Sequence, residues 1–220
     1  MKIFSFFLLF FPALPSVAWP AATAPIAAQI SSDSTLQHQA SQILTRLAKQ
    51  QRGSQGFSLK FESRAVGADG TLLSGVKGSL LAADSGRFRL ENAAGTLVCD
   101  GRTLWQYVPA NKQVIVKDAS GAGEAGGLLL RFLQARMLRA EPGRIGSLRI
   151  LLDPGSVDQD LDSLILNVNA ETLSILSMET QDPAGNRIIY TVKSLRYDVH
   201  PNPNDFVFRV PAGVEVIDMR

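Results

Sequence analysis

The feature that most constrains this chain is a long succession of short stretches with a period of two, separated by tight-turn residues. Phe57, Leu59 and Phe61 alternate with Ser58, Lys60 and Glu62, which describes a strand with one apolar face and one face in water. Asp69-Gly70 is a hairpin signal. Gly75 and Gly78 in the following run, 71–83, mark a bulge or bend. Arg87-Phe88-Arg89-Leu90-Glu91 is a second clean alternation. Turn clusters then separate predicted strands at 96–99, 103–108, 113–117, 148–152, 163–168, 173–180, 187–199 and 206–210. Short strands at this spacing form an antiparallel meander.

Two segments have a different character. Asp33 or Ser34 can cap a helix in which Leu36, Ala40, Ile43, Leu44, Leu47 and Ala48 recur at helical spacing, with Gln37, Gln39, Gln42 and Arg46 on the other face. Mid-chain, the small-residue stretch 118–127 precedes 128–139, LLLRFLQARMLR, an apolar run of helix-forming residues. Its three consecutive leucines cover most of a helical turn, so this helix needs burial on nearly every side.

The expected fold is therefore α+β and mostly β: an open, half-closed antiparallel barrel of about ten or eleven strands covered by a helical lid. So many twisted strands curl, and their apolar concave face needs a cover. The alternation assigns Phe57, Leu59, Phe61, Phe88, Leu90, Trp105 and Tyr107 to that face, and the lid would present Leu128, Leu129, Phe132, Leu133 and Met137. Glycines in 121–127 would serve as its hinge. Such an interior is either filled by side chains or holds an apolar ligand, and composition does not choose between them.

Residues 1–18 read as a cleaved export signal: Lys2, an apolar run from Ile3 to Leu14, then Ser16-Val17-Ala18. Twelve apolar residues are too few for a membrane-spanning anchor. Residues 19–33, rich in Ala, Pro and Ser, read as a linker, and 34–220 as a single domain. The expected product is an exported protein. With Lys+Arg 22 against Asp+Glu 20 and no basic run, nucleic-acid binding is excluded as a working function.

The sequence offers little reactive chemistry. His38 and His200 have no nucleophile assigned to them, and the lone Cys99 at a strand end reads as a small buried thiol. One cysteine and two histidines do not make a zinc site. Gly121-Ala122-Gly123-Glu124-Ala125-Gly126 matches G-x-G-x-x-G, but its neighbouring strands alternate as antiparallel ones do, so it reads as a flexible segment. Asp158, Asp160 and Asp162 lack the Gly and distal Glu of a calcium loop. The expectation is a non-enzyme with no cofactor and no metal, a monomer.

Leu97-Val98-Cys99-Asp100-Gly101-Arg102-Thr103-Leu104-Trp105-Gln106-Tyr107-Val108-Pro109, followed by Lys112-Gln113-Val114, resembles the most distinctive stretch of the LolA family of periplasmic lipoprotein carriers. Phe206-Val207-Phe208-Arg209-Val210-Pro211-Ala212-Gly213-Val214 resembles that family's closing segment. The order of elements is similar over about Leu36 to Asp218. The resemblance implies a cavity that shelters the acyl chains of a lipoprotein between inner and outer membrane. It also implies two partners, an inner-membrane lipoprotein-releasing ABC transporter and an outer-membrane acceptor, and a role for Phe88 near the cavity mouth in cargo handover. At such a mouth Phe88→Glu is expected to leave the fold intact. One departure stands out: where the family carries a basic residue and a proline, this chain has Ala83-Asp84-Ser85-Gly86, so no latch residue carries over. A sensor of lipid or misplaced lipoprotein, or a carrier of another lipid, are the alternatives on the same fold.

Overall fold

The computed structural model describes residues 26–83, 86–119, 132–133, 135–144, 146–156 and 160–220, with 26–33 as backbone only. Helix α1 (Ile26–Arg52) leads into twelve strands: β1 (Gly56–Val66), β2 (Leu72–Ala83), β3 (Phe88–Asn92), β4 (Gly95–Cys99), β5 (Thr103–Val108), β6 (Gln113–Asp118), β7 (Met137–Pro142), β8 (Ser147–Leu152), β9 (Ser163–Asn169), β10 (Ile175–Gln181), β11 (Arg187–Arg196) and β12 (Glu215–Asp218). All belong to one sheet in the order β12-β6-β5-β4-β3-β2-β1-β11-β10-β9-β8-β7. The pairings are antiparallel except β12 with β6, which is parallel. The two ends do not meet, so the sheet is an open half-barrel.

Its inner face follows from the register. Phe57, Leu59 and Phe61 of β1 oppose Ala82, Leu80 and Gly78 of β2, and these oppose Phe88, Leu90 and Asn92 of β3. On the other half, Leu148, Ile150 and Leu152 of β8 oppose Val168, Leu166 and Leu164 of β9. A single buried cluster joins both halves to Ala40, Ile43, Leu44, Leu47 and Ala48 of α1. Those helix positions follow the helical period, so they form one stripe. Register shifts in β1 at Lys60/Phe61 and in β10 at Ile175/Ser177 increase the local twist that wraps the sheet about the helix.

Several elements differ from the sequence-based expectation. The helix begins at Ile26, within the segment expected as a linker, because the Ala27-Ala28 run continues the helix past the capping residues Asp33 and Ser34. Met137 lies in a strand, not on the mid-chain helix, because 137–142 form a ladder with β8; tertiary pairing overrides helix propensity there. Phe132 and Leu133 are helical, whereas 121–131, with the expected hinge, the G-x-G-x-x-G match, Leu128 and Leu129, lie outside the described residues. So do Asp84, Ser85 and Asp158. The expected final strand at 206–210 is instead a 3-10 turn, Pro203–Phe206, followed by irregular chain. The closing strand is β12, whose pairing with β6 the local pattern does not reveal.

Candidate functional site: the apolar interior and its cover

Among the residues assigned to the concave face, Phe57, Leu59, Phe61 and Phe88 are brought together, with Phe88 only 1% exposed and Leu90 packed at the margin of the same cluster. The Phe61 ring meets Tyr190 edge-on at 5.8 Å between centroids. Phe132 and Leu133 are buried in this cluster too, and Met137 packs against it from β7, opposite Leu152. The interior is therefore occupied by the chain's own side chains. Phe88 is buried rather than at an exposed mouth, so a carboxylate placed there would be enclosed without a partner.

Trp105 and Tyr107 are not part of this interior. Cys99 opposes Leu104 across the Asp100–Gly101 turn, and Val98 opposes Trp105; Cys99 in turn opposes Phe88. Leu104 thus shares the inner face with Phe88, and Trp105 and Tyr107 fall on the outer one. There they meet Phe208, at centroid distances of 6.4 Å and 6.2 Å. Val98, Val114 and Val116 are buried on the same side. At β5 and β6 the inner-face positions include Gln106 and Lys117, so the apolar side of the sheet changes over between β3 and β6. The chain after β11 covers it, with Phe206 1% exposed beneath the Arg87 guanidinium, 5.3 Å from the ring centroid.

The Gln37 side chain ties the cover over the inner face to the sheet edge. Gln37 Nε2 donates to the Ala140 carbonyl at 3.1 Å, and the Ala140 N–H donates to Gln37 Oε1 at 2.9 Å. The sequence-based expectation puts Gln37 on the face of α1 opposite its apolar stripe, and the sequence carries no local sign of this contact over 103 positions.

The titratable groups follow their surroundings. Burial pushes the Cys99 thiol up, which disfavours the thiolate that a nucleophile would need. Burial also raises Tyr190, and pushes Tyr197 up to about 12. His38 is exposed and within 2.8 Å of Gln42, and His200 is exposed in its loop. On the outer face Glu62 lies between Lys193 at 2.9 Å and Lys77 at 3.7 Å, and the Lys193 ammonium leads in holding its carboxyl below the usual range. These three residues rim a shallow concavity of about 420 Å³ beside Phe61 and Gly78.

A helix-covered apolar half-barrel has counterparts among known proteins. The family model described as outer membrane lipoprotein carrier protein LolA matches residues 52–209. The chain belongs to the LolA family. Among LolA relatives, an outer-membrane lipoprotein carrier protein of Hahella chejuensis is 27% identical over 176 residues, 73% of this chain and 81% of that one. A protein with the same description from Vibrio campbellii is 26% identical over 170 residues, 75% of this chain and 80% of that one. A solved structure of an uncharacterized conserved protein from Thermus thermophilus, 14% identical, superposes with a TM-score of 0.53 over 81% of this chain and 98% of that one, a likeness of fold. The LolA match begins at the last residue of α1 and ends before β12.

Proposed function

We propose that this LolA-family protein is a periplasmic carrier that takes up the acyl chains of lipoproteins between α1 and the inner face of the sheet and conveys them from the inner to the outer membrane. In that reading residues 1–18 are a cleaved export signal, an inner-membrane ABC transporter loads the carrier, and an outer-membrane acceptor unloads it. Phe57, Leu59, Phe61, Phe88 and Leu90 are the proposed acyl contacts on the sheet, and Phe132, Leu133 and Met137 those around the cover.

The observation that supports this most is the continuity of the apolar inner face from β1 to β9 beneath a helix that is a separate layer. A helix packed on a sheet can move off as a unit and leave the strand ladders intact. An acyl chain that replaces it stays out of water, which is worth about 0.8 kcal/mol per CH₂. The relay needs no covalent step, because transfer follows differences in affinity between successive holders.

Release of a diacylated reporter lipoprotein from inner-membrane vesicles carrying the transporter tests the reading. Adding the purified protein should move the reporter into a soluble one-to-one complex, and mass spectrometry should find its acyl chains intact. A reporter that stays in the membrane, together with failure to bind a fluorescent acyl probe, overturns it.

A further inference from the structure

The Gln37–Ala140 contact has the form of a peptide pairing. β7 is the last strand at one end of the sheet, with β8 on one side and no strand among the described residues on the other. Within an edge strand, alternate residues point both their N–H and C=O away from the sheet. At Ala140 both groups are bonded to Gln37. A carboxamide presents one acceptor and an N–H donor side by side, as one residue of an adjacent strand would. The side chain of α1 therefore occupies a strand-addition position.

The position is also next to the interior. Ala140 is 3% exposed, opposes Ile150 on the inner face, and belongs to the same buried cluster as Phe88. A molecule with its apolar end beneath α1 and a polypeptide continuing from it would cross this edge on its way out. Leu138, 51% exposed, offers apolar surface beside the path. Pro142 lacks an N–H and limits pairing to the few residues before it.

We propose that the edge of β7 at Ala140 is a docking site for an extended polypeptide, the stretch of cargo that follows its lipidated residue, and that Gln37 fills this site when no cargo is bound. The proposal rests on the acyl-carrier reading. Loading the interior displaces α1, frees the Ala140 peptide groups, and lets the cargo backbone take over the two hydrogen bonds. The sheet edge then recognises backbone rather than side chains, so it accepts cargo of any sequence.

The test compares three ligands on the purified full-length protein: a diacylglycerol without peptide, a diacylated pentapeptide, and the same pentapeptide with its backbone amides N-methylated. The unmodified lipopeptide should bind about tenfold tighter than its N-methylated form, because the methyl group removes the hydrogen bond donated to the Ala140 carbonyl and crowds the strand edge. Amide exchange at Ala140 gives the second readout. Gln37→Ala should speed it in the free protein, and the unmodified lipopeptide alone should restore protection. If the diacylglycerol binds but the two lipopeptides bind equally and leave Ala140 exchange unchanged, the docking site is refuted while the carrier reading stands. If none of the three binds, the carrier reading fails, and this site with it.

Discussion

Phe61 lies directly over Gly78 of the neighbouring strand: a Cβ placed on Gly78 would come within 2.5 Å of Phe61 Cζ and 3.1 Å of the Glu91 carbonyl oxygen. Gly78 opposes both Phe61 and Asn92 in the sheet, so the missing side chain is the space in which the ring sits. Tyr190 holds the ring from another side. Gly78→Ala should therefore cost about 1–3 kcal/mol through overpacking. In urea denaturation the double variant Gly78→Ala, Phe61→Leu should lose less than the sum of its parts, because the smaller side chain leaves room for the methyl; a strictly additive result would show that the ring is not the obstacle.

Phe88 is among the largest fully buried side chains of the inner cluster. Phe88→Ala should lower stability by about 3–5 kcal/mol, and Phe88→Glu should prevent folding at neutral pH because its carboxylate would be buried without a partner. Circular dichroism melting checks both. A Phe88→Glu variant with a near-normal melting temperature would mean that the sheet opens at β3 far more readily than its burial implies.

Trp105 and Phe208 stack on the outer face at an interplanar angle of 22°. Removing either ring should reduce stability, and a double-mutant cycle with alanine should give a coupling of about 0.5–1.5 kcal/mol. Because this pair lies across the sheet from Phe88, Trp105→Ala should leave the affinity for a fluorescent acyl probe within about twofold of the parent protein, a difference of well under 1 kcal/mol. A markedly weaker affinity with unchanged stability would place Trp105 in the binding interior instead.

Tyr197 ionises at about 12 because burial disfavours its phenolate, whereas an unfolded tyrosine ionises near about 10. Between those values the folded state holds more protons than the unfolded one, so stability falls as pH rises through that window and is independent of this group below it. The buried hydroxyl has no hydrogen-bond partner among the described residues. Tyr197→Phe should thus cost little or nothing at neutral pH and flatten the alkaline loss, leaving the part due to Tyr190, which burial also raises. Denaturant midpoints measured from about pH 8 to about pH 12 check this; an undiminished alkaline loss in Tyr197→Phe would assign it elsewhere.

The strands of the central sheet were legible wherever one face is apolar and the other polar. Phe57, Leu59 and Phe61, and Phe88 with Leu90, declare their inner face by alternation alone, and the stripe of α1 from Ala40 to Ala48 does so by its helical period. That is a local property: side-chain direction follows from the backbone period without knowledge of any partner. Three things depended on partners. In β5 both faces find cover, so Trp105 and Tyr107 could be placed outside only by the pairing of Cys99 with Leu104. Met137 and its neighbours have helix propensity, yet the ladder with β8 makes them a strand. Gln37, one polar residue among several on its helix, acquires its role from Ala140, 103 residues away. Periodicity counts the faces of an element; only the fold decides what each face, and each edge, lies against.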